Sequence, residues 1–598
     1  MRIDTLQNTF FKMIVLQLSR TVWPCLFLPL MILCPAKGQS ALPSGNREMV
    51  YVHLDKQVYV TGEAIRYKVY AVDASNSSMR LCSKILYFTL TGTDDKAVVN
   101  WRINLSDKPV FGSFILPQEI KSGMYMLHAY TNFMRNGPAD SFYAQTLLIM
   151  NLAETTPATL RVFGRDEETA AHSDATISQR NILKVKVLKS SYSVNEQVQV
   201  ELDFDTETEQ PVIADVSLSV NADNPFGDLL QQHDILSALS LSRQMSAAKN
   251  IAMTSCRYRM EDKGFMLTGT AKRRADGAPL ASADVLLSVI DTIAPRILYA
   301  RTDSSGKFIF FLGRNYDNKD LILQPGKHQQ NQEFYIELDK KAITTDQPDV
   351  VPYELQADKT AYLNTVKNLR LINAVYSVKP VSKDLVAEEA GINYFGPPDV
   401  IIYPEDYASM VNFKDMADNI MPVVKFSQRD GVFNLQLLNN GTGLWEESTM
   451  ILLNGVPFTD MAYISTLGTK DIKRIEIITA YFLLGNLSFS GLMSIYTRDH
   501  KIPETYLRNN AVGYQNTVIP AGVAGETVIE SGTADAGEHY PDFRNTLCWK
   551  PDLALTARQP LIVTFPVSKL TGEYTVRVQG LTSAGQPVSG TTTFEVKE

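Results

Sequence analysis

Alternating apolar and polar residues dominate the first third of the chain after residue 50. Short runs rich in Val, Ile, Tyr and Phe, such as 50–73, 84–92, 111–115 and 124–134, are separated by Gly, Asp and Pro. A period of two is typical of strands with one buried face, and turn residues at these intervals are typical of a β-sandwich. The pattern predicts an all-β domain over residues 39–151.

The opening of this domain recurs further along the chain at a constant offset of 133 residues. The first copy comprises Tyr59, Gly62, Glu63, Ile65 and Tyr67, and the second comprises Tyr192, Asn195, Glu196, Val198 and Val200. Gly62 supplies a turn conformation that a Cβ opposes, and Asn195 takes its place in the repeat. A second sandwich is therefore expected to begin near residue 181.

This second sandwich is incomplete where it begins. About three strands precede residue 222, and Pro225 and Gly227 then interrupt the alternation. A matching apolar alternation returns near the end of the chain, at Leu561, Val563, Phe565, Tyr574, Val576 and Val578. Three strands cannot cover both faces of a sandwich. We therefore predict a split domain made of residues 181–224 and 540–598.

Both sandwiches resemble macroglobulin domains. The run from Lys56 to Glu63 is similar to the family's "D-K-x-x-Y-x-P-G-E" opening, and residues 542–551 resemble its closing "F-x-x-T-x-x-W-x-P" strand. The resemblance implies that residues between about 225 and 539 form an insertion. The Cys-Gly-Glu-Gln run that forms the family's thioester is absent from the sequence, so covalent trapping is not expected.

The insertion contains a stretch that resembles the carboxypeptidase regulatory-like module, a small β-sandwich. Alternating strands punctuated by Asp276-Gly277 and Ser305-Gly306 run from Met266 to Leu338. A third sandwich is expected over residues 263–340. In its usual contexts this module carries no catalytic residues.

Residues 394–499 resemble the plug domain of TonB-dependent outer-membrane receptors. The similarity rests on the Asn454-Gly455 turn, the strand from Asp471 to Ile477 and the strand from Gly491 to Arg498, although Thr479-Ala480-Tyr481 replaces the usual Arg-Gly-Pro. A plugged receptor barrel needs about 22 strands of about 10 residues. Because too few residues follow Arg498, this α+β module is expected to serve another purpose.

Three connecting segments complete the prediction. Residues 225–262 are expected to form a helical connection around Ile235 and Leu239, and residues 341–393 a helical linker. The linker's stripe of Tyr362, Val366, Leu369, Asn373 and Tyr376 is typical of core or interdomain packing. Residues 500–539 are expected to be a loop or linker.

The N-terminal 38 residues have the features of a signal peptide. Arg2, Lys12 and Arg20 accompany an apolar run at 22–33, and Ala36-Lys37-Gly38 is a candidate cleavage site. The run is shorter than the roughly 20 residues of a membrane span. Export to the periplasm, outer membrane or cell surface of a Gram-negative bacterium is expected, with no transmembrane span in the mature chain and with lipidation of Cys34 left open.

Charge and motif content indicate a protein without catalytic chemistry. The net charge is −8, which argues against nucleic acid as a partner. The seven histidines (His53, His128, His172, His233, His328, His500 and His539) have no metal-binding spacing, and Cys82, Cys256 and Cys548 form no disulfide framework. The acidic cluster of Asp203, Asp205, Glu207 and Glu209 is either a Ca²⁺ site or a solvated loop, and the loop is favoured.

The sequence thus predicts a mainly β, multidomain protein with macroglobulin-like and regulatory-like sandwiches and one α+β plug-like module. No catalytic, cofactor-binding or metal-binding residue is proposed. The expected function is a non-catalytic binding or assembly scaffold at the outer membrane, with an envelope protein or polysaccharide as partner. Two alternatives remain, namely an accessory of TonB-linked uptake and a thioester-less protease trap with residues 511–539 as bait.

Overall fold

The computed structural model describes the chain from residue 48 onward, with several gaps, and shows a mainly β protein. The described residues are 48–73, 81–137, 141–164, 182–194, 196–204, 212–230, 234–240, 257–291, 295–326, 334–339, 343, 349–376, 395–407, 410–516, 518–519, 542–557 and 559–598. All of them belong to one compact unit, residues 45–598.

The first sandwich is built from two antiparallel-rich sheets. Its strands are β1 (Glu48–Leu54), β2 (Val58–Val60), β3 (Ala64–Asp73), β4 (Ile85–Gly92), β5 (Ala97–Asn104), β6 (Val110–Ile115), β7 (Gly123–Tyr130) and β8 (Tyr143–Met150). One sheet has the order β1-β3-β6 and the other the order β2-β8-β7-β4-β5. Tyr51, Tyr67, Phe88 and Leu127 are among the side chains that fill its core.

A second sandwich combines strands from two distant parts of the chain. Its strands are β10 (Leu183–Val187), β11 (Ser191–Ser193), β12 (Gln197–Phe204), β13 (Ile213–Ala222), β32 (Thr546–Thr556), β33 (Leu561–Pro566), β34 (Gly572–Thr582) and β35 (Pro587–Lys597). The sheet orders are β10-β12-β33 and β11-β35-β34-β13-β32. We call this domain the split sandwich. Val198, Val216, Val563 and Val576 share its core.

The two sandwiches have the same topology, strand for strand. In each, the second strand pairs in parallel with the last, as β2 does with β8 and β11 with β35. In each, the fourth strand lies between the fifth and the seventh. The 133-residue repeat is therefore a repeat of a whole eight-stranded domain, in which the early segment supplies four strands rather than three.

The insertion occupies one hairpin of this shared topology. In the first sandwich a four-residue turn, 93–96, joins β4 to β5. In the split sandwich the equivalent strands are β13 and β32, and residues 223–545 lie between them. Asn221 faces Thr546 across the pair, so the insertion leaves and re-enters at the adjacent ends of two neighbouring strands.

A third sandwich lies within the insertion. Its strands are β14 (Phe265–Arg273), β15 (Asp284–Ile290), β16 (Arg296–Arg301), β17 (Lys307–Leu312), β18 (Asp320–Pro325) and β19 (Phe334–Leu338). They form the sheets β17-β14-β19 and β16-β15-β18, and β31 (Val512–Gln515) extends the second sheet beside β18. Its buried side chains form one apolar cluster with those of the first sandwich.

Residues 395–516 contain an α/β unit. Its strands are β21 (Val400–Ile402), β22 (Val424–Arg429), β23 (Val432–Leu438), β24 (Trp445–Glu446), β25 (Thr449–Leu453), β26 (Val456–Pro457), β27 (Ile472–Ile478), β28 (Phe482–Leu484), β29 (Leu487–Phe489) and β30 (Gly491–Thr497). The central sheet has the order β21-β27-β30-β25-β26. Asn454 and Gly455 both have positive φ, at 50° and 84°, as the two-residue turn between β25 and β26 requires.

Helices are few, and one long helix packs outside the sandwiches. The helices are α1 (Ala357–Tyr376), α2 (Phe413–Ile420), α3 (Met461–Thr466) and α4 (Glu504–Asn510), and residues 235–240 are also helical. Leu363 of α1 joins an apolar cluster with Val58 and Phe226. Within the described ranges, no helix is long and apolar enough to cross a membrane.

Two connecting segments contain more strand than the sequence predicts. The expected helical linker, 341–393, contains α1 but also β20 (Val350–Glu354), which pairs with β9 (Thr159–Phe163). The expected loop, 500–539, contains α4 and β31, because Val512–Gln515 pairs with β18 of the third sandwich. Both short strands are stabilised by partners that are distant in sequence, so local pattern does not reveal them.

Several sequence-based expectations lie outside the described residues. These are the signal peptide with Cys34 and its cleavage site, Asn195, Cys256, the histidines at 172, 233, 328 and 539, three members of the acidic cluster, and residues 520–541. Asp203, the fourth member of that cluster, lies in β12.

Candidate functional site

A network of buried polar side chains lies at the junction between the first and split sandwiches. All seven residues of β1 are buried, as in a strand that is covered on both faces. Alternation along β1 and β3 directs His53, Lys68 and Tyr70 toward β13 of the split sandwich. These three polar side chains are fully buried there.

His53 joins the two domains through both ring nitrogens. Nδ1 lies 2.6 Å from Ser217 Oγ, and Nε2 lies 3.2 Å from Ser219 Oγ. The indole of Trp549 lies against the ring, with centroids 5.1 Å apart. Burial, with help from the positive charges of Arg577 and Lys68, lowers the pKa of His53 to about 3. The imidazole is therefore neutral at neutral pH.

Lys68 and Tyr70 extend the same network. The Lys68 ammonium donates to the Asp215 carboxylate and to the carbonyls of Val216 and Pro551. Burial lowers the pKa of Lys68, while Asp215 opposes that shift. The Tyr70 hydroxyl donates to the Gln579 carbonyl at 2.8 Å and lies 2.8 Å from Ser217 Oγ. Each buried polar group thus has a partner on the other domain, which is what burial requires.

A small polar crevice opens at one end of this junction. It is bounded by the turn after β1, the end of β13, Arg577 of β34 and Tyr362 of α1, and its volume is about 40 Å³. Asn221 donates from its side chain to the Asp55 carbonyl, whereas its Oδ1 is buried and has no hydrogen-bond partner among the described residues. One water needs roughly 10–15 Å³ of such volume. The crevice is therefore sized for a few waters and not for a metabolite.

The sequence motif at residues 55–63 lies beside this crevice, and its side chains stabilise the turn between β2 and β3. The Asp55 carboxylate accepts from the Tyr59 hydroxyl at 2.8 Å and from the Arg66 amide at 3.0 Å. Glu63 accepts from Lys56 Nζ at 3.0 Å and from the Val60 amide at 2.9 Å. Gly62 has a φ of +82°, which explains why the turn needs glycine.

The repeated motif makes the same glutamate contacts in the split sandwich, whereas Leu188 stands at the position of Asp55. Lys189 pairs with Glu196, and the Glu196 carboxylate accepts from the Ser193 amide at 3.0 Å. These positions correspond to Lys56, Glu63 and Val60 at the 133-residue offset. The residues on which the macroglobulin resemblance rests therefore serve turn formation in both copies.

Other candidate residues from the sequence do not converge. Cys548 is buried, and burial raises the pKa of its thiol to about 12, while Cys82 is half-buried in the first sandwich. Among the residues with described positions, no three His, Cys, Asp or Glu side chains are placed to hold a metal ion. Nothing in the sequence singles out Ser217 and Ser219, because small polar residues that alternate along β13 are typical of a strand side that faces solvent.

A second junction fixes the third sandwich to the first. Arg102 of β5 stacks on the Phe265 ring, with its guanidinium carbon 3.6 Å from the ring centroid. Its Nη2 donates to the side-chain oxygen of Asn516 and lies 3.7 Å from the Asp317 carboxylate. The Asn104 amide also donates to Asp317, at 2.6 Å. Arg102 is 4% exposed, so this contact is shielded from solvent.

A third junction holds the α/β unit against the third sandwich. Met450, Leu452 and Leu492 of the α/β sheet share an apolar cluster with Leu286 and Ile297. The Gln324 side chain donates to the Pro457 carbonyl at 2.8 Å. The apolar contact covers only part of that sheet face. At the opposite edge, around β21, Ile401, Tyr403 and Tyr407 remain exposed.

No protein-family model matches the chain, and no curated protein matches it. Among solved structures, it is similar to Salmonella alpha-2-macroglobulin reacted with methylamine, at 9% identity and a TM-score of 0.23 over 92% of this chain and 40% of that one. It is also similar to trypsin-activated alpha-2-macroglobulin from Escherichia coli, at 9% identity and a TM-score of 0.23 over 93% and 42%. The chain thus spans about 40% of the length of these neighbours. TM-scores this low do not establish a shared arrangement of domains.

Proposed function

We propose that the protein is a non-catalytic, exported scaffold of a Gram-negative cell envelope, and that it presents its α/β unit to a protein partner at the outer membrane. One observation carries this proposal: the buried polar groups at the three junctions form their hydrogen bonds with a neighbouring domain. These groups connect each domain to the next, whereas the edge of the α/β unit around β21 stays exposed.

The charged and polar groups at the junctions support a structural role. His53, Lys68 and Arg102 are buried and engaged by residues of a neighbouring domain. A catalytic group needs a substrate within hydrogen-bond reach, and the crevice beside the first junction has room only for water. Such groups fix the positions of domains and favour a scaffold over an enzyme.

The exposed edge of the α/β unit supports a binding role. Tyr403 and Tyr407 are 43% and 47% exposed, and tyrosine is enriched at protein interfaces because it buries a large apolar area and keeps a polar tip. Ile401 is exposed beside them. The short strand β21 is the outer strand of the sheet, and such edges can pair with a partner strand.

Photo-crosslinking in the native envelope tests this proposal. A photoreactive amino acid at Tyr403 or Tyr407 is expected to capture one defined outer-membrane protein, whereas the same group at Val98 is not. Val98 is a suitable control because it is 44% exposed and lies on the first sandwich. Equal capture from all three positions, capture of polysaccharide alone, or no capture would contradict the proposal.

The same experiment separates the alternatives. Capture of a TonB-dependent receptor or of its energising partner would narrow the scaffold to an accessory of TonB-linked uptake. For a protease trap, the bait stretch must be free to be cut. Within the described part of 511–539, Val512–Gln515 is paired with β18 and Asn516 is bonded to Arg102, so those residues do not favour a trap.

A further inference from the structure

A buried histidine lies at the junction of the first and split sandwiches, and both of its ring nitrogens contact serines of the split sandwich. We infer that His53 makes this junction acid-labile: at acid pH the first and split sandwiches separate while each remains folded. The inference is independent of the partner proposed above.

Every element packed against His53 contributes polar or charged groups. Tyr51 and the buried Asp55 each lie two residues from His53 in the sequence; Asp234 interacts with Tyr51, and Arg66 pairs with Asp55. The other charged or titratable groups are Lys68 and Tyr70 from β3, Asp215 from β13, Asp552 from β32, which interacts with Lys68, and Arg577 from β34, which interacts with Asp223. Trp549 of β32 covers the ring without adding charge.

The hydrogen bonds suit a neutral imidazole. One ring nitrogen donates and the other accepts, and a serine hydroxyl can fill either role, as Ser217 and Ser219 do here. A proton on His53 would place a third positive charge beside Lys68 and Arg577. The Asp215 carboxylate already forms an ion pair with Lys68, and the negative charge of Asp223 interacts with Arg577. The new charge would therefore be buried without a carboxylate of its own, which is costly.

Separation of the sandwiches removes that cost because it returns His53 to water. The ordinary pKa of a hydrated histidine is near 6.5 and the pKa in the closed junction is about 3. Between these values the separated form binds one proton more than the closed form. Falling pH therefore favours separation about tenfold per pH unit, starting near pH 6.5 and ending near pH 3.

Small-angle X-ray scattering of the purified chain between pH 7.5 and pH 4 tests this inference, with far-UV circular dichroism measured in parallel. We expect the radius of gyration to rise as the pH falls while the β-sheet spectrum is unchanged. His53→Gln keeps one donor and one acceptor but cannot be protonated, so its radius should stay constant over the same range.

Two further variants keep the test decisive. His128→Gln removes a buried histidine from β7, in the other sheet of the first sandwich, and should expand as the wild type does. Arg577→Gln removes one cation near His53 and leaves both serine hydrogen bonds, so the expansion should move to lower pH. A constant wild-type radius down to pH 4, an expansion that coincides with loss of sheet signal, or an unchanged transition in both His53→Gln and Arg577→Gln would overturn the inference.

Discussion

Single side chains with several partners hold the domains of this protein together, and Arg102 shows how. Its guanidinium stacks on Phe265, bonds Asn516 and faces Asp317. Those partners come from the third sandwich and from the segment after β31. A planar cation with five donors can satisfy all of them at once, which a lysine ammonium cannot. Arg102 therefore ties three separate stretches of chain together.

Replacing Arg102 is expected to be far more damaging than replacing a surface arginine. Arg102→Ala leaves Asn516 and Asp317 without their buried partner, and such losses cost roughly 3–5 kcal/mol. Arg498→Ala is the matched control because it breaks a pair with Glu405 at 2.9 Å that is solvent-exposed, which should cost less than about 1 kcal/mol. Urea unfolding followed by circular dichroism measures both changes, and similar losses of stability in the two variants would contradict the role of Arg102 in holding the domains together.

Strand contacts inside the split sandwich are tight enough to be tested with one methyl group. Gly580 of β34 faces Val216 of β13, and a Cβ there would lie 2.4 Å from Val216 Cγ1 and 2.7 Å from the Asp215 carbonyl oxygen. Atoms do not approach so closely, so the two strands would have to shift. The close approach exists only because residues from both ends of the insertion share one sheet.

We predict that Gly580→Ala destabilises the split sandwich by about 1–3 kcal/mol through overpacking. Gly513→Ala, in β31, is the control, because no atom lies within 4 Å of the added methyl group, and its effect should be close to zero or slightly favourable. Thermal melting compares the two variants. A neutral Gly580→Ala would mean that β34 does not lie against β13 as described.

The local sequence pattern predicts an element correctly where the residues that determine its conformation lie within the element itself. The 133-residue repeat of Tyr59 and Glu63 indicated a second sandwich, and the Asn454-Gly455 turn indicated a hairpin. It failed for β31 and β20, whose strand conformation depends on β18 and β9. It also could not reveal the His53 junction, because Ser217 and Ser219 alternate with apolar residues just as on a strand side that faces water.

At the scale of the whole molecule, the insertion of residues 223–545 lies between two neighbouring strands of the split sandwich, β13 and β32. In the first sandwich the equivalent strands, β4 and β5, are joined by the short turn 93–96, whereas residues 223–545 join β13 to β32. Asn221 and Thr546 stay opposite each other, so the sheet is not interrupted. The third sandwich and the α/β unit can thus be attached to the scaffold while the eight-stranded core keeps its topology.

Hydrogen exchange of the intact chain and of a chain ending at Glu538 tests this central claim most directly. Without residues 539–598, β13 loses both neighbours, β32 and β34, and β12 loses β33. The amides of Val198, Val200 and Leu202 in β12, and those of Val216 and Leu218 in β13, should then exchange rapidly, while those of Phe88 and Leu127 in the first sandwich stay protected. Equal protection of the β12 and β13 amides in both chains would contradict the split sandwich.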